Sequence, residues 1–392
     1  MNPKSCLIIA GEKSGEEHTL SFFGALKEKN PGVHFFGVGG DLLKAQGVET
    51  IYHINQFSSM GFSEVLFKIP FYFRAMKRLE SECQKRNTKT AILVDFQDFN
   101  LRLCQKLRKQ GIKVLYYVAP QAWAWKSYRA KIIKDCAEIL YSILPFEKDW
   151  FDIYGVKNIK RVLHPLVRRY GREIQSRIVE IKSNLGIKSH LSQKRNVKII
   201  LLPGSRKTEI KSHLLEFKKA VDLLGVEFDL QVGLLQASNL PEQIYQDFVG
   251  QKLSTWVDQI FFDNEMPRAL GWGDLAIATS GTVTLATALF ALPTVVCYKT
   301  SLLNEYIFYT FINYKGYMSL PNLIHKKGIF PELRQEQMNS YNIARIIKNW
   351  LTDIHNYETI KKELLITYDL MSFECEAPEI SMTEVIQKGM CN

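Results

Sequence analysis

Short apolar runs alternate along the chain with longer segments whose apolar residues recur at helical spacing. In the first half, runs that suit buried strands occupy residues 6–10, 33–38, 90–95, 113–118 and 137–144. The segments between them, such as residues 19–29 and 101–109, have the pattern of covering helices. Strands that alternate with helices predict an α/β protein with a mostly parallel sheet covered on both faces.

The alternation resumes after residue 196, beyond a polar stretch at residues 175–195 that contains no predicted strand. Strands in the second half are predicted at residues 197–202, 228–234, 275–278 and 294–298. Because the polar stretch indicates a linker, we expect two doubly wound domains, at residues 1–180 and 181–360. Residues 361–392 have a helical pattern, and we expect them to pack back on the first domain.

Two carboxylates follow one of the buried strands. Asp95 and Asp98 stand at the end of the strand predicted near residues 90–95, and ligands bind at the carboxyl ends of strands in open α/β sheets. A carboxylate placed there can accept a proton from a substrate hydroxyl. We expect Asp95 to be the residue that accepts the proton. We expect Asp98 to be partly structural, because it also suits the N-cap of the next helix.

Three further loops suit an anionic ligand. The GEKSG motif of residues 11–15 can hold an anion at a helix N-terminus, although a plain strand–helix turn explains it equally well. Arg206 follows the strand at residues 197–202 and can clamp a phosphate through two hydrogen bonds. Residues 280–282 are small and precede an apolar helix, where backbone amides can approach a diphosphate. The alternatives are a surface salt bridge for Arg206 and a helix cap for Ser280.

Residues 60–78 interleave apolar and basic side chains, and Pro70 is predicted to break any long helix there. This mixture is typical of a membrane interface, where apolar residues enter the lipid and bases meet its phosphates. A buried helix pair with a solvated basic edge is the alternative, and this segment alone slightly favours it. The predicted membrane-docking residues are Phe62, Leu66, Phe67, Lys68, Phe71, Tyr72, Phe73, Arg74, Lys77 and Arg78.

The charge of the chain is unevenly distributed. The 392 residues are 46% hydrophobic and 23% charged, which excludes a mainly disordered, fibrous or coiled-coil protein. Residues 1–200 carry 34 basic and 18 acidic residues, a net charge of +16, whereas the remainder carries a net charge of −5. The basic half predicts an anionic partner, which is a nucleic acid, a membrane surface or a phosphorylated ligand. Aromatics among the bases of residues 99–134 suit stacking with RNA as well as a membrane interface.

The cysteines and the hydropathy of the chain indicate the cellular compartment in which the protein works. The seven cysteines are scattered without a Cys-x-x-Cys pair, which predicts no disulfide framework or zinc site and favours a reducing compartment. His164 has no second ligand at metal-binding spacing. We expect no signal peptide and no membrane-spanning helix, so that any membrane contact is peripheral.

Nine short motifs, in this order and at natural spacing, resemble those of the lipid-A-disaccharide synthase family over nearly the whole chain. They are GEKSG at 11–15, MGFSEVL at 60–66, DFQDFN at 95–100, YVAPQAWAWK at 117–126, LPFE at 144–147, HP at 164–165, LPGSR at 202–206, SGT at 280–282 and SLPNL at 319–323. The resemblance implies an inverting glycosyltransferase of GT-B type, with two Rossmann-like domains facing a cleft and neither a metal nor a cofactor. The implied reaction joins UDP-2,3-diacylglucosamine to 2,3-diacylglucosamine 1-phosphate and forms the β-1,6 lipid A disaccharide and UDP.

The resemblance also assigns roles to residues. It implies that Asp95 is the base, with Asp98 beside it. The donor residues would be Gly204, Ser205, Arg206, Ser280, Gly281, Thr282, Asn322, Glu332 and Gln335. The acceptor side would include Glu12, Ser14, Gly15 and Glu16. The implied partners are the two acylated sugars and an anionic inner-membrane surface at its cytoplasmic face, without nucleic acid.

Three positions depart from the family pattern. The family usually has Asp in place of Glu16, Gly in place of Leu163, and Glu in place of Ala286, where the glutamate is expected to hold the ribose hydroxyls. Loss of that charge-assisted hydrogen bond removes about 1.5–3 kcal/mol of donor binding, unless Thr284, Thr287 or another residue substitutes for it. The alternatives are therefore another GT-B transferase for a different UDP-sugar and a non-catalytic RNA- or lipid-binding protein.

Overall fold

The computed structural model describes residues 4–57, 62–123, 126–184, 196–299 and 316–390 of the protein. The chain forms two compact units, the first containing Met1–Arg168 and Met371–Asn392 and the second containing Arg169–Leu370. Each unit is built around one parallel sheet. Within the described ranges, no helix is both long enough and apolar enough to cross a membrane.

The described part of the first unit forms a seven-stranded parallel sheet. Its strands are β1 (Lys4–Ala10), β2 (Val33–Gly39), β3 (Glu49–His53), β4 (Thr90–Val94), β5 (Lys113–Tyr117), β6 (Ala137–Ser142) and β7 (Ile159–Arg161). The order across the sheet is β3–β2–β1–β4–β5–β6–β7, which places β1 and β4 side by side near its centre. Every residue of β4 is buried, as expected of a strand covered by helices on both faces.

Within the described residues, eight helices begin in the Met1–Arg168 segment of the first unit. They are α1 (Lys13–Lys29), α2 (Asp41–Ala45), α3 (Ile54–Phe57), α4 (Phe62–Lys85), α5 (Gln97–Lys109), α6 (Tyr128–Cys136), α7 (Glu147–Ile153) and α8 (Pro165–Asn184). The backbone of α8 leaves the helical region at Tyr170, close to the boundary between the two units.

The described part of the second unit forms a six-stranded parallel sheet. Its strands are β8 (Val197–Leu202), β9 (Leu230–Gln236), β10 (Gln259–Phe262), β11 (Leu275–Thr279), β12 (Thr294–Tyr298) and β13 (Glu332–Arg334). The order is β10–β9–β8–β11–β12–β13, which makes β8 and β11 central neighbours. The helices that follow α8 are α9 (Lys207–Gly225), α10 (Glu242–Val249), α11 (Met266–Trp272), α12 (Thr282–Leu289), α13 (Leu320–His325), α14 (Ser340–Thr352), α15 (Ile354–Leu364), α16 (Thr367–Ser372) and α17 (Pro378–Met390).

Pro70 lies inside α4 without ending it, so the predicted break is wrong. A proline in a helix interior costs about 3 kcal/mol because it removes a backbone hydrogen bond. Met76 and Leu79 are buried on the inward face of α4, and burial of each large apolar side chain contributes about 1.5–3 kcal/mol. Burial of this face therefore outweighs the lost hydrogen bond.

The polar stretch at residues 175–195 is not a linker over its first part, because α8 runs to Asn184. Ile178 and Ile181 within it, and Ile174 just before it, are buried at helical spacing, a signal that the polar composition hides. Residues 185–195 lie outside the described residues.

One disulfide joins Cys104 of α5 to Cys136 at the end of α6, with Cα atoms 5.8 Å apart. These two helices pack against each other. The prediction against a disulfide framework missed this pair because 32 residues of sequence separate the two cysteines.

The last helix, α17, belongs to the first unit and packs against α1. Asn30 Nδ2 donates a hydrogen bond to Thr383 Oγ1 over 2.8 Å. The Tyr141 hydroxyl lies 2.9 Å from Ser381 Oγ. These contacts join the C-terminal helix to both α1 and β6.

Candidate active site

Asp95 stands where the loops after two central strands run side by side. The last residues of β1 and β4, Ala10 and Val94, are paired across the sheet. Ser14, in the first turn of α1, donates its hydroxyl proton to Asp95 Oδ2 over 3.1 Å. The structure therefore brings together two predicted site residues that are far apart in sequence.

The turn at Asp95 is held in a strained conformation. The φ angles of Asp95 and Phe96 are 50° and 48°, in the left-handed region, which costs about 1–2 kcal/mol for each non-glycine residue. Asp95 N donates to the Tyr117 carbonyl over 2.9 Å, and Asn100 Nδ2 donates to the Asp95 carbonyl over 2.7 Å. Such strain concentrates at functional sites, where it fixes the direction of a side chain.

Two glycines allow the loop after β1 to approach this turn. A Cβ atom at Gly11 would lie 2.5 Å from a ring carbon of Phe96, closer than real contacts allow. A Cβ atom at Gly15 would lie 3.3 Å from the Val94 carbonyl oxygen. Close packing of two loops therefore accounts for both glycines of the GEKSG motif. Glu12, between them, is exposed just before α1.

Glu16 does not face a ligand, contrary to its predicted place on the acceptor side. Its side chain is buried, and its Oε1 accepts hydrogen bonds from Gly40 N and Leu43 N, each over 2.9 Å. The carboxylate satisfies free amides at the start of α2, where the helix dipole also favours a negative charge. Its role is to fix the turn after β2.

Asp98 is not an N-cap, because α5 begins at Gln97 and Asp98 lies in its first turn. Its carboxylate accepts a hydrogen bond from Arg129 Nη2 over 2.6 Å and lies 3.8 Å from Lys126 Nζ. Arg129 is only 3% exposed, and a buried guanidinium needs such a partner. Asp98 therefore has a structural role, which is to join α5 to α6.

Two neighbouring histidines, one of which is close enough for the charge of Asp95 to act on it, were not predicted as site residues. His164 is 5% exposed, and burial, with His18 adding to it, lowers the pKa of His164 to about 3. Burial also lowers the pKa of His18, while the charge of Asp95 acts in the opposite direction. His18 follows Ser14 by four residues on α1, and this spacing is the signal that could have found it.

Trp123 is held by a buried carboxylate. Its indole Nε1 donates to Glu147 Oε1 over 3.3 Å, and its ring packs edge-on against Phe146. Glu147 is 1% exposed, and burial raises its pKa to about 7 against the hydrogen bonds from Leu144 N and Trp123. A ring engaged in this way does not suit stacking with an RNA base. Ala124 and Trp125 lie outside the described residues.

The predicted docking residues divide between two faces of α4. Phe71 and Tyr72 are half-buried in an aromatic cluster, where the Tyr72 hydroxyl donates to the Phe57 carbonyl over 2.9 Å. Both rings pack against the protein core and are partly exposed, so their contact with lipid stays a prediction. Lys68 is half-buried and donates to the Gln56 carbonyl. The exposed residues, which we call the docking face, are Ile69, Phe73, Arg74, Lys77 and Arg78. Met60, Gly61 and the side chains of Phe62, Leu66 and Phe67 lie outside what the structure describes.

A cavity of about 400 Å³ lies at the carboxyl ends of β8 and β11 in the second unit. Because these strands are neighbours, the loops that follow them converge on one place. The predicted donor residues of both loops line the cavity, namely Gly204, Ser205, Arg206, Ser280, Gly281 and Thr282. Arg206 is 80% exposed there, so its guanidinium is accessible to a ligand.

Glu209 holds the loop that carries Arg206. Its Oε2 accepts hydrogen bonds from Ser205 N and Arg206 N over 3.0 and 3.2 Å, and its Oε1 lies 3.6 Å from Arg206 Nη1. Gly204 has a φ of 105°, and a Cβ atom there would lie 2.4 Å from Glu209 Oε2. Sequence reasoning missed Glu209, although a glutamate three residues after an N-cap is a known signal.

The start of α12 offers polar groups to the same cavity. Gly281 is the N-cap, and Gly281 and Thr282 are exposed. Thr279 lines the cavity, and its hydroxyl is buried without a hydrogen-bond partner in the described part of the chain. Buried polar groups are normally satisfied, so this hydroxyl indicates a cavity that accepts a polar ligand.

The threonines near Ala286 do not replace a ribose-binding acid. Thr284 and Thr287 are fully buried. Their hydroxyls donate to the carbonyls of Gly281 and Thr284 over 2.8 and 2.9 Å. Ala286 itself is 2% exposed. The possibility that Thr284 or Thr287 substitutes for a glutamate is therefore excluded.

Asn322 and Glu332 support a second cavity of about 810 Å³, which Gln335 also lines. Asn322 is fully buried and donates to Glu332 Oε1 over 2.9 Å. Burial alone would raise the pKa of Glu332, but hydrogen bonds from Arg334 and from the amides of Ser319 and Met318 lower it. Both predicted donor residues are thus used to hold the segment around residue 318 in place.

Comparison with known proteins identifies close relatives. A family model described as Lipid-A-disaccharide synthetase matches residues 6–385. The lipid-A-disaccharide synthase of Myxococcus xanthus (strain DK1622) is 34% identical over 89% of each chain. Lipid-A-disaccharide synthase 1 of Legionella pneumophila (strain Philadelphia 1) is 30% identical over 99% of each chain.

Two solved glycosyltransferase structures share the architecture. MurG of Acinetobacter baumannii has a TM-score of 0.60 at 13% identity and covers 98% of this chain and 100% of its own. CalG4, the calicheamicin glycosyltransferase, has a TM-score of 0.56 at 11% identity and covers 100% of this chain and 99% of its own. At such identities the likeness concerns the fold alone, and it confirms the predicted GT-B type with two parallel-sheet α/β units.

Proposed function

The chain belongs to the lipid-A-disaccharide synthase family, and from this premise we propose how its residues carry out the reaction. It is a glycosyltransferase that acts in lipid A biosynthesis. Its donor is UDP-2,3-diacylglucosamine, and its acceptor is 2,3-diacylglucosamine 1-phosphate. The reaction forms a β-1,6 bond between the two sugars, releases UDP and inverts the anomeric carbon of the donor.

The hydrogen-bonded, strained Asp95 is the observation that carries this proposal. Its carboxylate is half-buried at the end of β4, and Ser14 orients one of its oxygens. Asp95 removes the proton from the 6-hydroxyl of the acceptor while that oxygen attacks the anomeric carbon of the donor. A base fixed by its surroundings needs no rearrangement at the moment of reaction.

Arg206 and the amides at the start of α12 stabilise the leaving group. As the bond between the anomeric carbon and the diphosphate breaks, negative charge accumulates on the diphosphate oxygens. An accessible guanidinium and a helix N-terminus are suited to that charge. Residues 201–392 carry a net charge of −5, but a few placed groups supply the positive charge that the donor requires.

Incubation of the purified protein with both lipid substrates tests the proposed function. We expect one disaccharide product by mass spectrometry and one UDP released per disaccharide formed. A second candidate function is transfer from a different UDP-sugar, which the absence of a glutamate at Ala286 favours. UDP release from another donor, with no disaccharide formed from the lipid substrates, would support that second function and contradict the first.

The docking face of α4 binds the membrane from which both lipid substrates come. Ile69 and Phe73 are 40% and 46% exposed, and the cations of Arg74, Lys77 and Arg78 surround them. Apolar side chains that enter the lipid, with bases that meet its phosphates, make an interfacial site. We place this contact at the cytoplasmic face of the bacterial inner membrane, where anionic lipids attract the basic first unit.

Reversing part of the docking face is expected to weaken membrane binding. The variant Phe73→Ser/Arg74→Glu/Lys77→Glu removes one apolar anchor and reverses two charges, and each basic residue near an anionic surface is worth about 1 kcal/mol. Binding to vesicles that contain 30% phosphatidylglycerol, measured by sedimentation, should weaken by about 30-fold or more.

The matched control is Ile153→Ser/Lys131→Glu/Lys148→Glu, which makes the same chemical changes at exposed positions on α6 and α7. It should change the vesicle affinity by less than about threefold, the part that net charge alone contributes. Equal losses in both variants would mean that overall charge, and not the docking face, determines binding.

A further inference from the structure

His18 shares with Ser14 the side of α1 that faces Asp95. The two residues are one helical turn apart, and Ser14 Oγ is hydrogen-bonded to Asp95 Oδ2. The ring centre of His18 lies 6.3 Å from that of Tyr117, whose backbone carbonyl accepts the hydrogen bond of Asp95 N. The charge of Asp95 also acts on the His18 imidazole, so the two side chains lie near each other.

The imidazole has unused hydrogen-bonding capacity. His18 Nδ1 is buried, and among the described residues it has no hydrogen-bond partner. A buried nitrogen of this kind costs free energy, so structures seldom retain one without a reason. Other buried polar groups of α1, such as the Thr19 hydroxyl, are satisfied within the helix.

We propose that His18 is a positioning residue that takes the transferred proton from Asp95 after each glycosyl transfer. The O–H bond of the protonated Asp95 carboxyl group breaks, and an N–H bond forms on the neutral imidazole. The imidazolium then releases this proton to water, and the Asp95 carboxylate is ready for the next acceptor. This inference rests on the proposed function, because it takes Asp95 as the base.

The groups around His18 keep it neutral and ready to accept a proton. Burial lowers its pKa, and Asp95 is the charge that opposes this effect. Burial also raises the pKa of Tyr117 to about 12 and lowers that of His164 to about 3, so both rings are uncharged near neutral pH. The charged or titratable side chains that act on Tyr117 from neighbouring elements are Arg168, Cys375 and Glu379.

The pH dependence of kcat tests the proposal, because the proton leaves Asp95 only after the glycosyl transfer. Because His18 must be neutral to accept a proton, the wild-type enzyme should lose activity as pH falls through the lowered pKa of His18, below about 6.5. In His18→Gln, kcat should fall about tenfold at neutral pH, and KM should fall with it because the slowed step follows the glycosyl transfer. The acid limb of its kcat profile should move to lower pH than in the wild-type enzyme. The kcat profile of His164→Gln should have the same acid limb as that of the wild-type enzyme.

Chemical rescue separates proton transfer from packing. Added imidazole should restore at least about half of the lost kcat of His18→Ala, whereas pyrazole, a ring of similar size but much weaker basicity, should not.

Equal rescue by both rings, or an unchanged acid limb in the kcat profile of His18→Gln, would overturn the proposal. If Asp95→Asn retains wild-type turnover, the base assignment itself fails. If Asp95→Asn is inactive and the His18 variants have the same acid limb in their kcat profile as the wild-type enzyme, only the role of His18 fails.

Discussion

Replacing Asp95 with asparagine is expected to lower kcat by about 10³-fold and leave the fold intact. The amide has nearly the same size and can still accept the hydrogen bond from Ser14, but it cannot take the proton of the acceptor hydroxyl. General-base catalysis is worth about 10²–10⁴-fold. Because this contribution arises in the transition state, KM for either lipid should change by less than about threefold. UDP release and disaccharide mass measure turnover, and thermal unfolding reports on the fold.

Asp98→Asn is the matched control for this prediction. Asp98 is three residues away and pairs with the buried Arg129. Losing its charge should lower the unfolding temperature, because a buried guanidinium loses its charged partner. Turnover should stay within about tenfold of wild type, since no proton passes through this carboxylate. If Asp98→Asn were inactive and Asp95→Asn active, the two assignments would have to be exchanged.

The central strands could be predicted from the sequence because both of their faces are buried. β4 and β8 are almost wholly apolar, apart from Thr90 and Lys198, with a polar loop directly after them, and this pattern locates the strands and the loops that carry Asp95 and Arg206. β3 and β10 were missed because they are only half-buried and β10 has only four residues. Burial by distant elements made them strands, and a local pattern does not contain that information.

The errors at the candidate site have the same origin. Asp98 was given a local role as a helix cap, but its partner Arg129 is 31 residues away. Glu16 was assigned to the acceptor because it directly follows the GEKSG motif, although it is buried and bonded to the amides of residues 40 and 43. A sequence indicates which side chains follow a strand, but tertiary contacts decide which of them remain accessible. Asp95 and Arg206 remain accessible, and they carry the proposed chemistry.

Arg206→Ala is expected to lower kcat/KM for the donor by about 10²-fold. Hydrogen bonds to a charged group are worth about 1.5–3 kcal/mol, or about 10–150-fold, and the leaving diphosphate needs them most in the transition state. The loss should lie in the upper part of this range because Ala286, Thr284 and Thr287 offer no acid or free hydroxyl to the ribose. Steady-state kinetics with varied donor at saturating acceptor measure the effect.

Lys207→Ala is the matched control. Lys207 is an exposed cation beside Arg206, and it does not line the cavity at the carboxyl ends of β8 and β11. It should change kcat/KM by less than about twofold, because solvent screens the charge of an exposed side chain that does not line the cavity. Neither variant should alter the unfolding temperature appreciably, since the Arg206–Glu209 pair is exposed and worth at most about 1 kcal/mol. Equal losses in the two variants would show that bulk charge near α9 attracts the donor, and Arg206 would then have no specific role in departure of the diphosphate.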